Sequence, residues 1–236
     1  MPMKRKTSFS GNLTNQETVS GFCYMVFQFL LLGELLAWGN GYLAHPLNTA
    51  ELNFTFYLIN FISVLLIFHN FLSKSLQQAT QHPAIFCQTV ILGLAAYYSC
   101  KYVTEWLVRQ FLPGFLNYND QSITSMVNAN YFLMAVGTVV LVPPVEECLF
   151  RGLIFRNLYS KSHLAAYFIS IGAFSVIHII GYIGNYAPLE LLIAFLQYLP
   201  AGLCLAWAYT KADTIYAPIT IHAIINAVSM GLVGKS

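Results

Sequence analysis

Charged residues are scarce in this chain. Its 236 residues include 11 Lys or Arg and 9 Asp or Glu, or 8%, where soluble domains carry about 25%. So few charges could not cover the surface of a water-soluble protein of this length, and that class is excluded. The net charge of +2 leaves no basic surplus for binding nucleic acid. Cysteine is sparse too. Cys23, Cys87, Cys100, Cys148 and Cys204 are odd in number and form no CxxC pair. A disulfide framework or zinc knuckle is therefore not expected, and these residues read as packing residues within apolar runs. There is no internal repeat, low-complexity tract or pair of interrupted helices in matching halves, which argues against a transporter.

What the chain does have is long hydrophobic runs, with 57% apolar residues. A spanning helix needs about 20 mostly apolar residues to cross a ~30 Å hydrocarbon core. Such segments fall near 20–38, 53–72, 84–108, 124–156, 163–183, 188–210 and 213–233. The expected fold is all-α, a polytopic transmembrane helix bundle of about seven spans, within a range of six to eight. No A-x-A cleavage site follows the first run, so it is expected to remain as a helix. Glu34 within it reads as an interfacial or packing residue. The 18 Phe and 15 Tyr fit interface belts and packing.

The basic residues predict orientation. With the N-terminus cytoplasmic, Lys4, Arg5, Lys6, Lys74, Arg156, Lys161 and Lys211 fall inside, and only Arg109 and Lys235 fall outside. Lys101 and Arg151 lie within segments. The expected organisation is a cytoplasmic tail over 1–19, N-terminal transmembrane helices over 20–139 and a C-terminal transmembrane core over 140–236. Pro143-Pro144 interrupts the long fourth segment, and a kink or break is expected there because proline cannot donate its backbone N–H.

From residue 143 onward the buried polar groups form three clusters, and ionisable groups inside spans require partners or a purpose. The first is Glu146-Glu147-x-x-x-Arg151. In a helix Glu147 and Arg151 stack four apart and pair, while Glu146 points about 100° away. Glu146 is left without a local partner and is a candidate general base toward water, although both acids are equally compatible with interfacial charges near the cytoplasmic end. The second cluster is Phe174-x-x-x-His178, where a lone histidine is equally compatible with helix packing. The third, His222-x-x-x-Asn226, offers oxyanion donors or interhelical hydrogen bonds. Glu146 lies ten residues from Arg156, and His222 eleven from Lys211. Both are therefore about 15 Å from the basic ends, at 1.5 Å per residue, whereas His178, seventeen residues from Lys161, agrees only loosely at about 25 Å unless its helix begins outside the membrane. A shared site is feasible, with a cavity expected to open toward the cytoplasm.

In order and spacing these three clusters resemble the signature of the CPBP intramembrane proteases, the CAAX protease and bacteriocin-processing (Rce1-like, Abi) family. Gly202-Leu203-x-Leu205-Ala206-x-Ala208-Tyr209 and Ile215-Tyr216-Ala217-Pro218-Ile219 also look like that family's pattern. The resemblance covers roughly 140–230. It implies that Glu146 and His178 activate a water and that His222 and Asn226 hold the oxyanion. The Glu147–Arg151 pair would orient the site, and Phe174 would pack beside the imidazole. Glu146, His178 and His222 would also suit a divalent metal such as zinc, although there is no His-Glu-x-x-His helix. Metal-dependent and glutamate-driven hydrolysis both remain open.

The implied partners are the lipid bilayer and a peptide or membrane-protein substrate, with no nucleic acid. The expected location is the cell membrane. The short loops point to a bacterial protein, for which bacteriocin or signalling-peptide precursors are more natural substrates than prenylated ones. The alternative is a non-catalytic immunity or scaffold protein that keeps the fold and binds another membrane protein.

Overall fold

The structure is a computed structural model that describes Phe9 and residues 12–233. Lys4, Arg5, Lys6 and Lys235 of the charge count lie outside the described residues. Among the described residues nine helices follow in order: α1 Asn15–Asn40, α2 Thr49–Ile67, α3 His69–Gln81, α4 Pro83–Phe111, α5 Tyr118–Ala129, α6 Tyr131–Tyr159, α7 His163–Ile177, α8 Pro188–Ala212 and α9 Tyr216–Val233. A short 3-10 turn covers Ile180–Tyr182, and no strand occurs among the described residues. Helices α1, α2, α4, α6 and α8 are long and apolar enough to cross a membrane, and α7 is a shorter apolar helix. With the 18-residue α9 they account for the seven expected apolar segments. Exposed Leu30, Leu66, Ile91, Phe132 and Phe168 give the bundle an apolar outer surface of the kind lipid requires.

Local chemistry sets the helix starts. Thr14 Oγ1 accepts the Glu17 backbone N–H at 3.1 Å, and Glu17 Oε2 accepts that of Thr14 at 2.8 Å. This capping box starts α1 at Asn15. The Glu17 carboxylate also accepts the Phe71 backbone N–H at 2.7 Å, so α1 is tied to the free N–H groups at the start of α3. Phe9 stacks on Tyr209 at 4.4 Å. Part of the expected tail is thus built into the fold.

The break in the fourth segment is not at the prolines. The chain interrupts at Asn130, an extended residue (φ −157°, ψ 91°) whose side chain accepts the Leu133 N–H at 3.2 Å. That cap separates α5 from α6. Within α6, a π-helical turn at Gly137–Leu141 precedes Pro143 and Pro144. The widened turn accommodates the missing donors without ending the helix. A second π-helical stretch follows over Cys148–Phe155.

Helix α6 is the centre of the bundle. Half of its most apolar window is buried, against 17–33% in the other four long spans. Its Leu149, Phe150, Leu153 and Phe155 pack with Val64, Phe68, Phe71, Leu205 and Tyr209 in one core. Cys148 and Cys204 are buried, as packing residues should be. Cys23, Cys87 and Cys100 instead face outward from apolar helices, and all five thiols are free.

The two ends of the bundle differ in chemistry. At one end Arg156 donates to the Tyr209 hydroxyl at 2.9 Å, and Ser75 Oγ lies 3.2 Å from Thr214 Oγ1. This is the basic end, with exposed Lys74, Lys161 and Lys211. At the other, Asn117 donates to Gln197 at 2.9 Å, and Tyr118 stacks on Tyr186 at 3.4 Å. Exposed Trp38, Tyr42, Tyr102 and Trp106 ring this aromatic end, as residues at a membrane–water interface do.

Candidate active site

The first cluster sits on the π-helical part of α6, where the expected pair forms. Arg151 Nη1 donates to Glu147 Oε1 at 3.1 Å, with both side chains fully buried. Arg151 Nη2 donates to the Gly202 carbonyl at 3.2 Å, and the guanidinium lies 4.3 Å from the centre of the Phe174 ring. The charge is therefore held by a carboxylate, a carbonyl and an aromatic face, which compensates its removal from water.

Glu147 has a further partner 75 residues away in sequence. His222 Nδ1 lies 2.9 Å from Glu147 Oε1. A carboxylate oxygen accepts, so Nδ1 carries the hydrogen in this contact and Nε2 is the free ring nitrogen. His222 Nε2 lies 3.9 Å from Glu146 Oε2, outside direct hydrogen-bond range. Glu146 Oε2 has no hydrogen-bond partner among the described residues. The expected division of the two acids is present. Glu147 is locked to Arg151 and His222, and Glu146 faces a cavity.

His178 lies just past the end of α7 rather than within a helix that continues to residue 183. Its Nδ1 is 2.8 Å from the Phe174 carbonyl, which can only accept. The ring therefore caps the last turn and leaves Nε2 free. It stacks on Tyr198 at 4.2 Å, while Phe174 packs 4.8 Å from His178 and 6.0 Å from His222, centre to centre. Asn226, one turn beyond His222 on α9, donates from Nδ2 to the Thr138 carbonyl at 2.7 Å. Thr138 belongs to the π-helical turn before the prolines, where carbonyls lose their usual partners. One Asn226 N–H remains after that bond.

Glu146, Phe174, His178, His222 and Asn226 line one cavity of about 410 Å³, together with Tyr57, Thr138 and Tyr198. The sequence reading missed these three because hydroxyl groups in apolar helices are common. Lys101 and Glu105 also line the cavity, as an ion pair at 3.2 Å. Their four-residue spacing inside an apolar span was a readable signal. Asp120 of α5 lines it as well.

One expectation changes, and the metal alternative gains no ligand set. Among the described residues, no group of three His, Cys, Asp or Glu side chains is placed to hold a metal ion. Glu146, His178 and His222 line one cavity without converging as a zinc ligand set would. The cavity also extends away from the basic end. Leu149, Phe150, Leu153 and Phe155, each at most 1% exposed, fill the space below Glu146 and Glu147. Depth counting located the acids but could not reveal that apolar plug.

Comparison with known proteins brings out the same region. Residues 128–228 match the family described as type II CAAX prenyl endopeptidase Rce1-like. A Bacillus subtilis (strain 168) protein named "Putative membrane peptidase YdiL" is 31% identical over 109 residues, covering 46% of this chain and 40% of that protein. The chain thus spans less than half the length of that relative. No solved structure matches.

Proposed function

We propose that this protein, whose residues 128–228 match the Rce1-like family, is an intramembrane endopeptidase driven by Glu146. One observation carries the reading: α6, α7 and α9 bring Glu146, His178, His222 and Asn226 to one cavity, with Glu146 3.9 Å from His222. A carboxylate that faces a cavity beside two histidine rings is the equipment for drawing a proton from water.

In this mechanism a water bound beside Glu146 gives its proton to the carboxylate, with His178 Nε2 orienting it. The oxygen attacks the scissile carbonyl carbon, and the carbonyl oxygen becomes an oxyanion. Asn226, through its remaining N–H, and His222, as an imidazolium donating from Nε2, stabilise that charge. Glu147 holds His222 in place, and Arg151 holds Glu147. Glu146 then returns its proton to the leaving amine as the C–N bond breaks. The products are a carboxylic acid and an amine, and no step passes through a metal.

The substrate is a peptide or membrane-protein precursor reached within the bilayer. The test is a pooled library of membrane-anchored peptides, incubated with purified protein in liposomes and read by mass spectrometry. The wild type should cleave members of the pool, equally with and without a chelator, and Glu146→Gln should cleave none. Equal cleavage by both proteins would remove Glu146 as the base. Unchanged biological output from Glu146→Gln would favour a non-catalytic immunity or scaffold role.

A further inference from the structure

The cavity has a mouth and a floor. Accessibility rises along it, from 8% for the His222 side chain and 16% for Glu146 to 40% and 38% for Lys101 and Glu105. Asn117, Asn119, Asp120 and Thr124 continue the polar lining around the start of α5. All of these lie at the aromatic end, where Asn117 bonds to both Gln197 and Tyr198. In the opposite direction the apolar plug below Glu147 closes the way, and beyond it Arg156 and Tyr209 bond across the basic end.

Membrane orientation follows Lys and Arg rather than net charge. Of the described basic residues, Lys74, Arg156, Lys161 and Lys211 lie at the basic end, Lys101 and Arg109 lie at the aromatic end, and Arg151 is in the core. Lys4, Arg5 and Lys6 precede α1, which starts from the basic end. Glu34, Glu51, Glu105, Asp120 and Glu190 all belong to the aromatic half. Water reaching Glu146 therefore comes from the side that positive-inside topology places outside.

We propose that the cavity opens on the exocytoplasmic face, and that its substrate is a peptide segment presented from outside: an exported peptide, or the outer flank of a membrane-anchored precursor. The substrate class rests on the peptidase reading, whereas the direction of the mouth does not. The Lys101–Glu105 pair and Asp120, at the entrance, are the first charged groups an incoming chain meets.

Cysteine labelling in intact cells tests the direction. A membrane-impermeant maleimide should add label to Asn119→Cys above the level of the unsubstituted protein, whose own thiols set the baseline. Lys161→Cys should gain label only after the cells are permeabilised. Thr124→Cys serves as a second mouth position should Asn119→Cys fail to accumulate. Label on Lys161→Cys in intact cells, with the mouth positions reacting only after permeabilisation, overturns the proposal. A water-soluble peptide cleaved by the purified protein should then be cut by right-side-out vesicles and spared by sealed inside-out ones. The reverse preference also overturns it. Outward labelling with no peptide cleaved by any preparation rejects the peptidase reading and leaves the direction of the mouth standing.

Discussion

At the scale of single residues, the site depends on how two adjacent acids are divided. Glu146 and Glu147 differ by one position, and helical geometry sends them to different surroundings. Glu147 is fully buried and holds both Arg151 and His222. Removing one member of such a set leaves an uncompensated buried charge, a loss of about 3–5 kcal/mol. Arg151→Met should therefore lower the thermal unfolding midpoint in detergent sharply, and an unchanged midpoint would show that the pair is not structural. Asn226→Ala removes one oxyanion donor and the bond to Thr138. The expected cost is about 10²–10³ in kcat with KM little changed, read by steady-state kinetics on a cleaved peptide. A rise in KM alone would mean that Asn226 binds substrate rather than the transition state. The Glu147–Arg151 pair and the separate direction of Glu146 were legible in the sequence because four-residue spacing is a local signal. The His222–Glu147 and Asn226–Thr138 contacts were not. They join residues 75 and 88 positions apart, and only the packing of α9 against α6 brings them together.

At the scale of elements, α6 carries the site and its irregular turns place it. The prolines marked a real departure from α-helical geometry, but the helix resolves it with a π-helical turn and breaks instead at Asn130. That choice depends on Asn130 capping Leu133, a weaker signal than two prolines. The seven apolar segments were readable by length and hydropathy. Helices α3 and α5 were not, because their mixed composition does not separate an interfacial helix from a loop. Close helix contacts depend on small residues. A Cβ added at Gly202 would lie 2.7 Å from Ile171 Cγ2 on α7, and one at Gly93 2.5 Å from Ile221 Cδ1 on α9. Gly202 also supplies the carbonyl that holds Arg151. Gly202→Val should force α7 outward, lowering both the unfolding midpoint and activity, with overpacking costing about 1–3 kcal/mol. Gly39→Val, where the space around the Cβ position is open, should leave both unchanged. Equal effects from the two substitutions would contradict the packing argument.

At the scale of the whole molecule, the bundle pairs a basic end, closed beneath the site by an apolar plug, with a polar, open aromatic end and suspends its candidate site between them. The sequence read correctly as a membrane bundle, since composition and run length are global quantities. Depth counting placed the mouth toward the basic end, whereas the cavity lining runs toward the aromatic end, because which end is plugged depends on side chains such as Phe150 and Phe155 packing together, and no count of depth contains that. The central claim is that Glu146 is the base of a hydrolytic reaction. The most direct test is the rate of peptide cleavage by purified Glu146→Gln relative to wild type, in liposomes, with unfolding midpoints measured in parallel. The account predicts a loss of at least about 10²-fold in kcat/KM, the usual contribution of a positioned general base, at an unchanged midpoint. A well-folded Glu146→Gln protein that cleaves at the wild-type rate would contradict it.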